Sequence, residues 1–472
     1  MYSVLKVAGV IWGFAALFYL SGLTLLGRRN SADAVTALTL GLVADIALSM
    51  VCGNLQAGLF AQALLAMPSI TVAYRQIQVL GSDRRRTILP VAAFLLLALG
   101  FALLCVTQPI HDWDARSIWF YHAKVIFHTQ SIWAGGSWSE QANIYTHLNY
   151  PKLFPLLAAQ VATIFGFWNE YVPKLAIALL ALPILACYLH SIWSVSGTHW
   201  LRLATVLMLT CLYFGFDGAG FYLFNGYMDG WVALYAMSAL LVLSRAMGEA
   251  KLDGQDYQRQ KWQLAAAILA VLAQIKQEGL IIAALVASTV SMLILLRISR
   301  NPLRWPSIVW RAMGPHYLKL SLQVLFLLGP IVAWTVASRV QHLATGHYSG
   351  DLLGRMTSRL VNPDDRNWIW ANIIMHNALI LPSLALAALL VFTSIWRRKL
   401  ISLGELLPLI IVGLYFVVIF FVYLGTSADL AWHMAASAGR VGLTPALCLA
   451  AFNILRISGT DGGDQPSPIK KT

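Results

Sequence analysis

Along the chain, long uninterrupted apolar runs alternate with short polar clusters. A helix needs roughly 20 apolar residues to cross a bilayer. Runs of that kind fall at about 5–27, 34–52, 55–74, 88–108, 172–194, 200–216, 229–246, 262–276, 279–296, 318–337, 374–395, 405–424 and 441–456. They are continuous and do not alternate apolar with polar positions, so they predict helices and not the strands of a membrane barrel. The predicted fold class is all-α: a polytopic integral membrane protein of about 13 transmembrane helices. The first run opens on a single Lys6 and has no small-residue cleavage site, which predicts a retained helix and not a signal peptide.

Composition agrees with the pattern. Of 472 residues 59% are hydrophobic and only 11% charged, about half the charged share of a soluble protein. An ordinary soluble enzyme, a disordered chain and a disulfide scaffold are excluded. The five cysteines, Cys52, Cys105, Cys187, Cys211 and Cys448, lie inside apolar runs without CxxC spacing and read as small core residues. The formal net charge of +13 is explained by orientation, since Lys and Arg collect in short cytoplasmic loops. No basic helix with interleaved aromatics suggests a nucleic-acid partner.

The basic clusters assign the sides. They are Arg28–Arg29, Arg84–Arg86, Arg245 to Lys261, Arg297 to Lys319, Arg397 to Lys399 and Lys470–Lys471. Placing all of them in the cytoplasm puts the N-terminus outside and the C-terminus inside, which an odd number of crossings satisfies. Residues 151–167 are apolar but short and carry Pro151 and Pro155. A full crossing there would invert every later loop, so the segment reads as a juxtamembrane or re-entrant outer helix. The chain thus divides into a four-helix membrane segment (1–108), an outer-face loop (109–171), the remaining membrane helices (172–456) and a cytoplasmic tail (457–472). The other outer loops are 217–228, 277–278, 338–373 and 425–440, and the outer loops together hold most of the histidines.

Candidate chemistry gathers in those outer loops. In His111-Asp112-Trp113-Asp114, either Asp could cap the helix that follows or act as a general base. That helix is expected to lie flat in the interface, with Trp113 and Trp119 as anchors. His147 opens the segment before Pro151 and Pro155, which stiffen the entry to the next helix. Asp229 follows Gly226 where a helix re-enters the membrane and reads either as an N-cap or as a site residue. Lys276 and Glu278 sit between two apolar runs, the first about 14 residues long and reaching roughly 21 Å, short of a 30 Å core. They are therefore expected at lipid depth, as a structural ion pair or as a phosphate or sugar site. Arg440 is an isolated cation read at a helix start, where the helix dipole disfavours it unless an anion is near. Arg355, Arg359 and Arg366 share their loop with Asp351, Asp364 and Asp365 and are weaker anion ligands.

Taken in order, these residues form a pattern. Trp113-Asp114-Ala115 followed by Ile118-Trp119 and Ala123-Lys124, then His147 and Tyr150-Pro151-(x)3-Pro155, resembles the first periplasmic loop of GT-C superfamily glycosyltransferases. Gly226-Tyr227-x-Asp229, Lys276-x-Glu278-Gly279 and Trp432-His433-(x)6-Arg440 look like later motifs of a bacterial branch. That branch is akin to the protein mannosyltransferases and lipid A aminoarabinose transferases. The resemblance spans roughly 109–440 and implies transfer of a sugar, with inversion, from a polyprenyl-phosphate donor to an acceptor hydroxyl. The acceptor class is a glycan, lipid or protein on the outer face of a bacterial inner membrane. It further implies Asp114 as the base with Asp112 in reserve, and Asp229 orienting acceptor or sugar. Lys276, His433 and Arg440 would hold the phosphate. Lys124, His147, Tyr150 and Glu278 would line the pocket. No cofactor is required by the resemblance, although some relatives use a divalent cation near the carboxylates; no dense carboxylate cluster here compels one. Four helices precede the first loop where better-known members have one, and acceptor recognition is left to the loops 109–171 and 338–373.

Two other classes fit parts of the pattern. A lipid or lipid-linked-sugar flippase would use Lys276 and Glu278 along a translocation path, but no internal repeat is visible. A surface-polysaccharide ligase or polymerase would use similar lipid-linked substrates.

Overall fold

A computed structural model describes residues 4–27, 34–79, 84–194, 221–248, 255–299, 317–343, 350–377, 380–398 and 400–459. Among these residues every regular element is a helix. Among the described residues nine helices are long and apolar enough to cross a membrane, or ten if the helices Pro363–His376 and Ile380–Trp396, bent by 84°, form one span. The chain is a multi-pass helical membrane protein. Of the sequence-predicted runs, 200–216 lies outside the described residues, as do Cys211, Arg28, Arg29 and the Lys470–Lys471 tail.

The N-terminal bundle comprises α1 (Val4–Leu26), α2 (Ala34–Cys52), α3 (Leu55–Val79) and α4 (Arg84–Cys105). Helix α2 is apolar on all sides, which suits a helix surrounded by others. Its spanning segment is 83% buried within the protein, against 17% for α4. Helix α2 is thus a protein-facing core, while α4 leaves most of its apolar surface to lipid.

The α1–α2 crossing depends on missing side chains. A Cβ on Gly22 would lie 1.8 Å from the Ala37 carbonyl oxygen, and one on Gly41 1.9 Å from that of Phe18. Apolar side chains gain little by leaving lipid, so helices in a bilayer associate through such close backbone approach.

After α4 the chain makes a π-helical turn (Ala115–Trp119) and α5 (Phe120–Thr129), two 3-10 turns (Ala134–Ser139 and Gln141–Thr146), and α6 (Leu153–Phe165). Helix α6, with 13 residues, reaches about 20 Å and is too short to cross. Its residues from Leu153 to Ala162 are all buried, and Gln160 donates to the buried Asp45 of α2 at 2.9 Å. The segment is packed into the protein instead of lying on its surface. Trp119 is likewise only 1% exposed, stacked on Tyr150 with ring centroids 5.5 Å apart. The expectation of Trp119 as an interfacial anchor is corrected: π-helical winding turns the indole inward, and Trp113, 77% exposed, stays outside.

The second half runs α7 (Leu175–Ser194), α8 (Asp229–Gly248), α9 (Gln255–Ile275), α10 (Gln277–Ser299) and α11 (Tyr317–Val340). It continues α12 (Leu352–Val361), α13 (Pro363–His376), α14 (Ile380–Trp396), α15 (Leu403–Gly425), α16 (Leu430–Val441) and α17 (Leu443–Gly459). Helix α8 packs on α9, α15 and α17, and α9 in turn packs on α2, joining the halves. Segment 425–440, expected as a loop, is mostly helix. Asp429 caps α16 by accepting from the Trp432 amide at 2.8 Å. The loop 338–373 similarly contains α12 and α13. Arg359 of α12 donates to the carbonyls of Tyr423, Leu424 and Thr426 at 3.1, 3.1 and 2.9 Å, which closes the end of α15.

Gly41→Leu is expected to destabilise the protein by about 1–3 kcal/mol or more through overpacking of α1 against α2. Gly13→Leu, where nothing lies within 4 Å of the added Cβ, is expected to be near neutral. Thermal unfolding of both variants in one detergent checks this, and equal losses would contradict the packing account.

Candidate functional site

Asp114 ends the loop after α4. Its backbone is already helical and its side chain makes no cap bond, so the carboxylate is not consumed in starting the turn. Instead its Oδ2 accepts from the guanidinium of Arg440. Arg440 stands in the last turn of α16, not at a helix start as the sequence suggested. The correction reverses the local electrostatics, because the C-terminal end of a helix favours a cation.

From Arg440 the charges continue in alternation. Its guanidinium lies 3.7 Å from Asp229 Oδ2, in the first turn of α8. Asp229 Oδ1 accepts from Lys276 Nζ at 2.8 Å, and Lys276 reaches Glu278 Oε1 at 3.0 Å. Five charges, Asp114, Arg440, Asp229, Lys276 and Glu278, thus form one chain built from four separate segments. Lys276 and Asp229 are only 7% and 6% exposed, so each needs the other to offset its lost hydration. Glu278 Oε2 is buried with no hydrogen-bond partner, an acceptor whose bonding capacity is unmet.

Two glycines make this convergence possible. Gly226 has φ +97°, in the region that favours glycine, and a Cβ there would meet the Phe120 ring at 2.6 Å. This turn aims Tyr227 beneath Arg440, whose guanidinium carbon sits 4.8 Å from the ring centre. Burial first, and then the Asp114 carboxylate, push the Tyr227 phenol above its ordinary pKa. Gly279 lets α10 start against the Leu272 carbonyl, 2.1 Å from where its Cβ would be. That contact holds Lys276 and Glu278 at the α9–α10 junction.

The charge chain lines a cavity of about 1240 Å³. Asp114, His147, Tyr150, Asp229, Lys276, Glu278, His433 and Arg440 all face it. His147 adopts φ +52° and stacks on Tyr150 with centroids 4.9 Å apart, continuing the stack to Trp119. His433 Nδ1 lies 2.9 Å from Thr426 Oγ1, which sets its ring orientation. Trp113, Tyr145 and Trp432, exposed by 77%, 86% and 57%, line the cavity as well.

Two candidates fall outside the lining. Asp112 faces His111, 3.4 Å away, and Lys124 is exposed on α5 beside the inward-facing His122 and Ala123. Tyr227, by contrast, was present in the motif but not singled out. Its signal is an aromatic residue directly after a glycine whose turn must present something.

A buried polar relay supports the first-loop wall. Lys152 Nζ lies 3.0 Å from both His122 Nδ1 and the Leu148 carbonyl, and His122 Nε2 lies 3.1 Å from Thr146 Oγ1. Burial, then the charges of Lys152 and His147, hold the His122 pKa well below its ordinary value. Burial likewise lowers Lys152.

Among the described residues no group of three or more His, Cys, Asp or Glu side chains gathers as a metal site. Asp114, Asp229 and Glu278 each already face a cation.

Two outcomes follow from these pairings. Lys276→Met is expected to cost about 3–5 kcal/mol by leaving buried Asp229 short of a partner. Asp229→Asn in the same protein should restore part of the loss in thermal unfolding; strictly additive losses would contradict the coupling. Separately, His122 stays neutral in the folded state while an unfolded histidine protonates below about pH 6.5. Stability should therefore fall as pH drops from 7 to 5.5, and less steeply in His122→Gln; an identical slope would remove His122 as the cause.

No family model, curated protein or solved structure matches this chain.

Proposed function

We propose that the chain is an inverting glycosyltransferase of the GT-C kind, using a polyprenyl-phosphate sugar as donor and an acceptor hydroxyl outside the bacterial inner membrane. The observation that carries this reading is the alternating chain from Asp114 to Glu278 along one large cavity. In the proposed reaction the acceptor oxygen attacks the anomeric carbon as its proton passes to Asp114. The bond between that carbon and the phosphate oxygen breaks, and the lipid phosphate leaves with the electron pair. Arg440 and Lys276, with His433 beside them, offset the charge that builds on the phosphate, which is commonly the largest electrostatic contribution to such a step. Arg440 suits this role through its paired donors. A phosphate drawing on Arg440 also loosens its hold on Asp114, so that donor arrival readies the base. Asp229 keeps both cations in place, and Glu278, whose Oε2 has no hydrogen-bond partner, would accept from a sugar hydroxyl.

The outer placement of the cavity is supported by charge. The starts of α8 and α10 contribute Asp229 and Glu278, whereas Arg245 and Arg297 lie toward their opposite ends. With basic residues cytoplasmic, the cavity opens outside. The proposal includes the thirteen-crossing topology, with 109–171 as the outer catalytic segment.

The flippase reading draws on the same buried charges, and chemistry separates the two. Purified protein with labelled polyprenyl-phosphate sugars and candidate acceptors is expected to give a covalent product. Asp114→Asn should lower transfer by about 10²–10⁴-fold with donor binding retained, and Asp112→Asn should stay near the parent rate. Full activity in both variants would overturn the base assignment. Lipid movement without any product would favour the flippase.

A further inference from the structure

A second cavity, of about 580 Å³, adjoins the first. Gln277, Ile281, His342 and Leu343 line both, so the two cavities share part of one wall. The two differ in charge. The first carries acidic and basic groups together, whereas the described lining of the second holds Lys152, Arg339 and His342 and no carboxylate.

Lys152 is the central group. It is wholly buried, and its ammonium nitrogen lies 4.4 and 4.6 Å from the ring centres of Trp138 and Trp334. Two of its N–H groups are directed to His122 and the Leu148 carbonyl, and only the charged form carries a third. No acidic partner neutralises it within the relay described above. Burial of an unpaired amine favours its neutral form, and an anion brought to the cavity would restore the charged one.

The lining also carries unmet acceptors. The side-chain oxygens of Asn149 and Gln274 are buried with no hydrogen-bond partner, and Gln274 is 1% exposed. A buried acceptor left unmade costs about 1–3 kcal/mol, so these two oxygens call for hydroxyl or amide donors. Inorganic phosphate or a simple lipid phosphate would meet the cations but offer these oxygens little. A hydroxyl-bearing anion satisfies both sets, and the apolar remainder of the wall suits the C–H faces of a sugar ring.

We infer that this second cavity seats the acceptor and that the acceptor is an acidic saccharide, its anionic group held by Lys152 and Arg339 and its hydroxyls by Asn149 and Gln274. The inference rests on the glycosyltransferase reading for the word acceptor, while the binding site rests on the cavity alone. The shared wall directs one free hydroxyl of the saccharide toward Asp114 in the first cavity.

The test measures binding to the full-length protein in phosphatidylcholine nanodiscs by saturation-transfer NMR, with glucose 6-phosphate, glucose, inorganic phosphate and undecaprenyl phosphate as probes. Glucose 6-phosphate should bind more tightly than glucose or inorganic phosphate. Arg339→Gln, at an exposed side chain, should weaken it about tenfold, and Lys152→Gln should do the same if it folds. Arg440→Gln should instead weaken undecaprenyl phosphate and spare glucose 6-phosphate. Unchanged glucose 6-phosphate binding in Arg339→Gln, or a loss confined to Arg440→Gln, would overturn the inference. So would Arg339→Gln weakening undecaprenyl phosphate alone, which would make the cavity a lipid-phosphate site. If sugar transfer is found but this binding pattern is not, only the acceptor assignment fails; if the pattern holds without transfer, the site stands and the glycosyltransferase reading falls.

Discussion

Lys276 lies almost wholly inside the protein, and a cation there is tolerable only because Asp229 and Glu278 stand within 3.0 Å. Pairing of this kind propagates, because Asp229 in turn faces Arg440 and Arg440 faces Asp114. Where water is scarce, each member left alone would cost several kcal/mol. The start of α8, the α9–α10 junction, the end of α16 and the loop before α5 must therefore arrive together. The charge chain works as a registry device for the second half of the molecule and as the polar lining of the 1240 Å³ cavity. The same groups that tie the helix ends together offer paired cations and carboxylates to a substrate.

Packing makes that registry attainable. Helix α2 and the close contact at Gly22 and Gly41 supply a dense protein-facing core, and α9 links it to α8. The segment between α4 and α7 is held from inside by Trp119, Tyr150 and the relay through His122 and Lys152, so that Asp114 and His147 are presented from a rigid wall. Gly226 brings the chain close against the Phe120 ring and Gly279 close against the Leu272 carbonyl, and both approaches help the charges to meet. The second cavity adjoins the first along Gln277, Ile281, His342 and Leu343, and its lining includes Lys152, where one supporting relay ends.

Much of the site was legible in the chain because an ionisable residue amid apolar runs is costly unless it has a task. Lys276 and Glu278 stand out for that reason, while Asp229 is marked by its place at a re-entering helix and Arg440 as an isolated cation that needs an anion. Lys124 and Asp112 were drawn in by nearness to a motif. Sequence neighbours on a helix point different ways, and α5 turned Lys124 outward while Asp112 settled beside His111. Arg440 was recognised as an anion partner on a mistaken helix boundary. Asp429 starts a helix where a loop was expected, and this puts the arginine at a favourable helix end. Composition cannot tell an interfacial indole from a core one, and in the π-helical turn Trp119 is a core residue.

By itself the sequence determined the multi-pass helical class, the scarcity of polar groups and which of them were worth attention. Those properties follow from local hydropathy and charge, which any segment carries regardless of its neighbours. Only the tertiary structure decided which charges meet, because a pairing between residues as far apart as Asp114 and Arg440 depends on where several helix ends stop in space. The same holds for the orphaned oxygens of Asn149 and Gln274 and for the cations around the second cavity. Burial and partner choice are properties of the packed molecule, and no reading along the chain contains them.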